Sequence, residues 1–285
     1  RPKAKKIVAE FLVRFWGVRG SIAVPGPDTV RYGGNTPCVE MQVGGQRLIF
    51  DGGTGLRVLG KTLLGEKNIQ AHLFFSHSHW DHIQGFPFFK PAYISGNCFH
   101  IYGPITFNGY AIKYSLSQQM LDPNFPVPLQ IMQADLHFHD LNAGEMINLG
   151  DVTVETGSLN HPNYALGYRV TYRGKTVVYA SDTEHYPDRL DRSVVHLARQ
   201  ADVLIYDANY TEEEYEHPVT PRRGWGHSTW QAGVQVAIAA GVKQLVLFHH
   251  DASHDDDFLD GVEAQVRQVL PSSVLAREGM VLQLL

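Results

Sequence analysis

Apolar residues along the chain fall into short runs bounded by Gly, Pro, Asn or Asp, the pattern of strands, with intervening stretches at helical spacing. Phe11 to Trp16 predicts the first strand, followed by the Gly-rich loop Gly17-Val18-Arg19-Gly20-Ser21. Cys38 to Val43 and Arg47 to Phe50 flank Gly44-Gly45 as a hairpin. The second of these strands runs into Asp51-Gly52-Gly53-Thr54-Gly55 ahead of a helix to about Leu64. Leu73-Phe74-Phe75 reads as a buried strand opening into a loop, Phe99 to Tyr102 as another strand and Tyr110 to Leu121 as an amphipathic helix. Residues 122–145, with Pro123, Pro126 and Pro128 and no clear period, read as a loop bordering the functional site. Asp151 to Thr156, Leu166 to Tyr172, Thr176 to Ala180, Asp202 to Tyr206, Gln244 to Phe248 and Met280 to Leu284 are the later strands. Helices are expected over Asp188 to Gln200, Thr229 to Ala240 and Asp255 to Leu270. Strands come in runs and then alternate with helices in each half, without a linker or composition break between the halves. That order predicts one α/β domain over residues 11–285: four αββα layers, two mixed sheets face to face with helices outside.

Composition narrows the partners more than the fold. With 44% hydrophobic and 11% aromatic residues the chain can bury a sizeable core, and a net charge of −5 argues against a long polyanion as main partner while leaving a small anionic substrate open. Cys38 and Cys98 are far apart and form no CxxC, so no disulfide framework is expected and the cytoplasm is the expected compartment. No stretch approaches the roughly 20 apolar residues of a membrane span, and the amino terminus has no apolar signal region. The leading Arg-Pro-Lys-Ala-Lys-Lys is read, within residues 1–10, as a solvated basic tail or the end of a linker from a fused upstream domain.

Four metal-ligand side chains, His77, His79, Asp81 and His82, fall within Ser76-His77-Ser78-His79-Trp80-Asp81-His82, directly after the apolar run. A polar surface turn is the plain alternative. Imidazole and carboxylate together suit zinc and its neighbours, and alternating ligands on a non-helical turn can aim at two adjacent ions. Further candidates stand at other strand ends: His161, Asp182 in Ser181-Asp182-Thr183, and His249 or His250. His249 is preferred because it is the first polar residue after Leu245-Val246-Leu247-Phe248. Three groups per ion plus one shared carboxylate is the inventory of a two-metal hydrolytic centre. Asp51, also at a strand end, is either an acceptor for a ligand imidazole or a turn residue.

The His-x-His-x-Asp-His loop, with His161, Asp182 and His249, resembles the metallo-β-lactamase superfamily across nearly the whole chain. The resemblance implies that superfamily's αββα fold, with His77, His79 and His161 on one divalent ion, Asp81, His82 and His249 on the other, and Asp182 bridging. Zinc is the expected metal, with manganese or iron as alternatives. Gly226-His227-Ser228-Thr229 and Ala201 to Ala208 are similar to the branch containing ribonuclease Z, the carbon–phosphorus-pathway cyclic phosphodiesterase and cyclic-nucleotide phosphodiesterases. This chain has Asp207 where ribonuclease Z commonly has Glu. The implied catalytic residues are Asp81, His227 as general acid to the leaving oxygen, and Asp207 orienting that imidazole. Arg19 is either a bidentate phosphate contact or a structural ion pair.

Ribonuclease Z enzymes carry a long arm for tRNA between the third metal histidine and the bridging aspartate. Here only a hairpin, Asn163 to Ala180, separates His161 from Asp182, and the stretch from Asp182 to His249 has no room for a β-CASP insertion. A small phosphodiester such as a cyclic nucleotide or cyclic phosphate is therefore expected, rather than folded RNA. The alternatives are a ribonuclease Z-like RNA endonuclease and a thioester or lactam hydrolase of the same fold. A flavodiiron protein usually has Glu where His79 stands. Relatives in the superfamily often dimerise, and a homodimer is the corresponding expectation.

Overall fold

The computed structural model describes residues 10–285, so the expected basic segment lies, except for Glu10, outside the described residues. The first half runs β1 (Phe11–Gly17), β2 (Cys38–Val43), β3 (Gln46–Phe50), α1 (Thr54–Thr62), β4 (Gln70–Phe74), α2 (Trp80–Ile83), β5 (Cys98–Pro104), α3 (Ile112–Gln118) and β6 (Asp135–Leu141). The second runs β7 (Met146–Leu149), β8 (Val152–Leu159), β9 (Ala165–Tyr172), β10 (Lys175–Ala180), α4 (Arg192–Leu197), β11 (Val203–Asp207), α5 (Glu212–Tyr215), α6 (Trp230–Ala240), β12 (Gln244–Phe248), α7 (Asp256–Val269), β13 (Val274–Leu275) and β14 (Val281–Gln283).

The strands form two sheets of seven, ordered β14-β1-β2-β3-β4-β5-β6 and β13-β12-β11-β10-β9-β8-β7, so that the last strand of the second half returns to the edge of the first sheet. Phe15, Phe50, Phe74, Tyr168, Tyr179 and Phe248 fill the space between the sheets. A second apolar layer, with Leu56, Leu59 and Leu116, lies under the first sheet, and a third, with Val234, Leu259 and Val266, covers the other. Strands β3 to β6 run parallel, as do β10 to β13. Parallel strands covered on both faces read as continuous apolar runs, which is why β11 and β12 stand out in the sequence. In such sheets the carboxyl ends of the strands open onto the ligand-binding edge.

Two of the expected segments change most. Residues 122–145 are not a plain loop: β6 lies within them and pairs parallel with β5, His100 facing His137. Leu136 and Phe138 pack against the core beneath the first sheet while His137 and His139 stack with His100 on the other face. Histidines in the alternate positions blur the hydrophobic contrast that marks a strand. The helix expected over Asp188 to Gln200 shortens to α4, because Asp191 caps it by accepting from the N–H of Ser193 (2.9 Å) and Val194 (3.2 Å).

Candidate metal centre

Asp51 organises the metal-ligand loop. It leaves β3 with a left-handed φ of 59°, a conformation that Asp tolerates better than most residues. Its carboxylate accepts from Ser76 N (2.7 Å), Ser76 Oγ (2.8 Å) and Tyr179 Oη (2.7 Å), and pairs with His82 Nδ1 at 2.8 Å. Tyr168 Oη donates to Phe75 O at 2.5 Å. The loop after β4 is thus tied to both sheets before any ligand is considered. Of the two readings left open for Asp51, the geometry is that of an acceptor for the His82 imidazole.

His77, His79, His161 and Asp182 bring ligand atoms within 4.8 Å of one another, and so do Asp81, His82, Asp182 and His249. The two sets meet at the buried carboxylate of Asp182. Its Oδ2 faces His77 Nε2 (3.6 Å) and His161 Nε2 (3.7 Å), while its Oδ1 faces His82 Nε2 and His249 Nε2, both at 3.2 Å. His79 Nδ1 lies 3.1 Å from His161 Nε2, and Asp81 Oδ2 lies 3.1 Å from His249 Nε2. A tetrahedral ion with bonds of about 2.0–2.2 Å needs donors about 3.3–3.6 Å apart, close to these spacings.

Two further observations fit divalent cations. His77 Nε2 is buried without a hydrogen-bond partner. Asp51, Asp81, Asp182 and Asp207 are buried together and ion-paired only with imidazoles among the described residues, whereas buried carboxylates require compensating positive charge. Burial holds His77 and His161 below the ordinary imidazole range, His161 at about 4, and the neutral ring is the ligand form. Burial opposes ionisation of Asp182, but the imidazoles of His249, His82 and His77 hold its carboxyl well below the usual range.

His227 stands beside this double set. Its Nδ1 lies 2.9 Å from Asp207 Oδ2, and its ring stacks on His249 at 4.9 Å. Asp207 ends β11 and accepts from Thr183 N (3.1 Å) and Asn209 N (3.0 Å), which fixes its carboxylate. Burial works against a charged His227, but Asp207, then Asp182 and Asp81, lift its pKa to about 9. Gly226, at φ 86°, passes so close to His161 that a Cβ would meet its Nδ1 at 2.4 Å, and its carbonyl accepts from that nitrogen at 2.7 Å. Sequence reading missed Glu184, which receives the N–H groups of Gly224 (2.7 Å) and Gly226 (2.8 Å) and so holds this loop. An isolated glutamate after a strand carries no signal for that task.

The Gly-rich loop acts otherwise than as a phosphate cradle. Arg19 is fully buried and donates to Gly33 O (2.8 Å), Asp251 O (3.2 Å) and His254 O (2.5 Å), with Asp256 at 4.0 Å. Its guanidinium has no access to a substrate phosphate, and the structural reading replaces the phosphate contact. The same loop serves the centre through its backbone: Ser21 N donates to Asp81 Oδ2 at 2.8 Å, and a Cβ at Gly20 would meet the His249 ring at 2.4 Å. His249 faces the carboxylates, whereas His250 Nε2 donates to Ala276 O at 2.8 Å. A cleft beside His77 and His79 is walled by residues 104–115 and 163–164, and residues 122–145 do not line it.

No helix among the described residues is long and apolar enough to cross a membrane. The model of the Beta-lactamase superfamily domain matches residues 46–250. Ribonuclease Z of Archaeoglobus fulgidus is 25% identical, over 96% of this chain and 97% of its own length. The metallo-β-lactamase fold protein YhfI from Bacillus subtilis superposes with a TM-score of 0.69 at 20% identity, over 95% of this chain and 98% of that one. A diphosphatase of the PhnP family gives 0.69 at 18% identity, over 96% and 98%. The fold, the doubled His/Asp sets for divalent ions and the family match lead to one assignment: the chain belongs to the metallo-β-lactamase superfamily, as a metal-dependent hydrolase of its ribonuclease Z-like branch.

Proposed function

We propose that the chain hydrolyses a small phosphodiester, such as a cyclic nucleotide or cyclic phosphate, with two zinc ions. His77, His79 and His161 would hold one ion and Asp81, His82 and His249 the other, with Asp182 between them. When bound, such ions activate water as a nucleophile near neutral pH and polarise a phosphoryl oxygen. Water attacks phosphorus in line with the departing oxygen and gives up a proton to solvent, and the P–O bond to that oxygen breaks. The leaving alkoxide takes a proton from His227 Nε2, and Asp207 keeps the opposite nitrogen, Nδ1, protonated and the ring oriented. The observation that carries this reading is the His227–Asp207 pair, 2.9 Å apart at the edge of the doubled ligand set. Hydrolysis of a thioester or lactam calls for no such pair.

The family relatives named ribonuclease Z make RNA the second reading. The short connection between His161 and Asp182, filled by the β9–β10 hairpin, favours the small diester because it leaves no arm for folded RNA. The test is turnover by the zinc-loaded protein on cyclic nucleotides, bis-p-nitrophenyl phosphate, pre-tRNA and a thioester. Hydrolysis of the small diesters, abolished by Asp182→Ala and by His79→Ala, is expected. Turnover of pre-tRNA alone, or of the thioester alone, overturns the proposal.

A further inference from the structure

The cleft beside His77 and His79 has a composition that the hydrolytic chemistry does not require. It holds about 220 Å³, and Asn108, Tyr110, Tyr114, Asn163 and Tyr164 stand in its walls together with the two imidazoles. Apart from those imidazoles, no titrating cation or carboxylate lines it among the described residues. Tyr110 and Tyr114 are 48% and 46% exposed and stack on each other at 4.4 Å with planes 13° apart. Phe107, 80% exposed, leans on Tyr164 at 5.4 Å.

Exposed aromatic rings grouped beside a reaction centre mark a recognition surface more often than packing. Tyr164 is held in place: Asn163 and Tyr164 both adopt left-handed φ, 65° and 75°, and Tyr164 Oη accepts from Ala143 N at 3.0 Å. Consecutive non-glycine residues in that region are strained, and such strain collects at ligand sites. The volume lies below the roughly 300–1,000 Å³ of pockets for drug-sized ligands, so the cleft takes one ring system of a larger molecule. Without lysine or arginine it is ill-suited to a polyphosphate tail, and its amides and hydroxyls are ill-suited to an acyl chain. Flat tyrosine faces with amide groups between them match a planar heteroaromatic ring that also carries hydrogen-bonding edges.

We propose that this cleft is a nucleobase subsite: the diester cleaved at the metal centre is a nucleotide whose base stacks among Tyr110, Tyr114 and Tyr164. The inference rests on the phosphodiesterase reading for its substrate but not for its binding. Base–aromatic stacking is worth about 5- to 150-fold per ring removed.

The test pairs binding with catalysis on the zinc-loaded protein. Adenosine, guanosine and uridine, which carry no phosphate, are titrated calorimetrically against wild type, Tyr110→Ala, Tyr114→Ala and Tyr110→Trp, with pantetheine as the acyl-carrier control. Nucleoside binding weakened about 5- to 150-fold by the alanine variants and retained by Tyr110→Trp is expected. In parallel, kcat/KM is compared for a cyclic nucleotide and for the base-free diester ethyl p-nitrophenyl phosphate. The alanine variants should lose activity on the nucleotide alone. Equal losses on both diesters, nucleoside binding indifferent to Tyr110 and Tyr114, or binding of pantetheine in place of nucleosides overturns the subsite. If wild type hydrolyses neither diester, the phosphodiesterase reading fails, and the nucleoside titration still decides the subsite.

Discussion

Replacing His227 with alanine separates protonation of the leaving group from everything else the centre does. General acid catalysis by a positioned side chain contributes about 10²–10⁴-fold, or about 2.7–5.4 kcal/mol of barrier. The structure localises the perturbation. The His227 side chain is 12% exposed, and Asp207 keeps its bonds from Thr183 N and Asn209 N when the imidazole is gone, so the surrounding fold retains its anchors. The effect should therefore depend on how strongly the departing oxygen needs a proton. A ribose alkoxide needs one, whereas p-nitrophenolate is a stable anion. With metal content matched to wild type, kcat/KM for a cyclic nucleotide should fall about 10²–10⁴-fold, while that for bis-p-nitrophenyl phosphate should fall less than about tenfold. Equal losses on the two substrates refute the acid role and leave His227 as an electrostatic contact to phosphate. Asp182, Asp207, His227 and His249 also place their ligand atoms within 4.8 Å of one another, so a fall in metal stoichiometry in the variant would instead make His227 a ligand.

Asp51→Asn keeps a residue suited to φ 59° but removes the charge that aligns His82; metal affinity, measured by competition with a chelator, should drop about 10–100-fold, and unchanged affinity contradicts the role given to Asp51. Arg19→Met leaves the carbonyls of Gly33, Asp251 and His254 without that donor and Asp256 without its nearby positive charge, and should lower the unfolding free energy in urea by about 3–5 kcal/mol, with KM for a diester unchanged; raised KM at wild-type stability would restore the phosphate contact. Burial, then His100 and His139, lowers the His72 pKa from 6.5 to about 4. The unfolded chain takes up that proton first, so stability declines as pH falls from about 6.5 to about 4 and levels off below. His72→Gln should flatten the difference in urea midpoint between pH 7.5 and pH 5, and an undiminished difference removes His72 as its source.

Much of this site was legible because its ligands sit where apolar strands end. β10, β11 and β12 are almost wholly buried and β4 ends in the buried Leu73-Phe74, so the polar residues that follow, the His77 loop, Asp182 and His249, announce themselves, whereas Asp207 is marked by the family resemblance. That rule also separated His249 from its neighbour His250. Residues acting through long-range hydrogen bonds gave no comparable signal. Tyr179 and Tyr168 read as strand aromatics, yet their hydroxyls hold Asp51 and Phe75, and Glu184 reaches across 40 and 42 residues to the loop before His227. The prolines and absent period of residues 122–145 point to that loop as the border of the site. The cleft wall is formed instead by residues 104–115 and by the strained pair Asn163 and Tyr164, whose conformation no hydrophobic pattern encodes.

Asp207 shows how a departure from the family pattern is absorbed. An aspartate reaches less far than the glutamate common at this position in ribonuclease Z, so the imidazole must come to it. Three features bring it there. Asp207 is the last residue of β11 and its carboxylate is fixed by two backbone N–H groups. Glu184 draws in the backbone at Gly224 and Gly226. Gly226 has no side chain to collide with His161, which lets the loop lie against that ring and set His227 at 2.9 Å from Asp207. A methyl group at Gly226 would push on His161 and Pro162 together, at a φ of 86° that alanine resists. The glycine thus ties the position of the His161 ring to that of the His227–Asp207 pair, and the shorter acid reaches the imidazole only because the loop can be pressed this close.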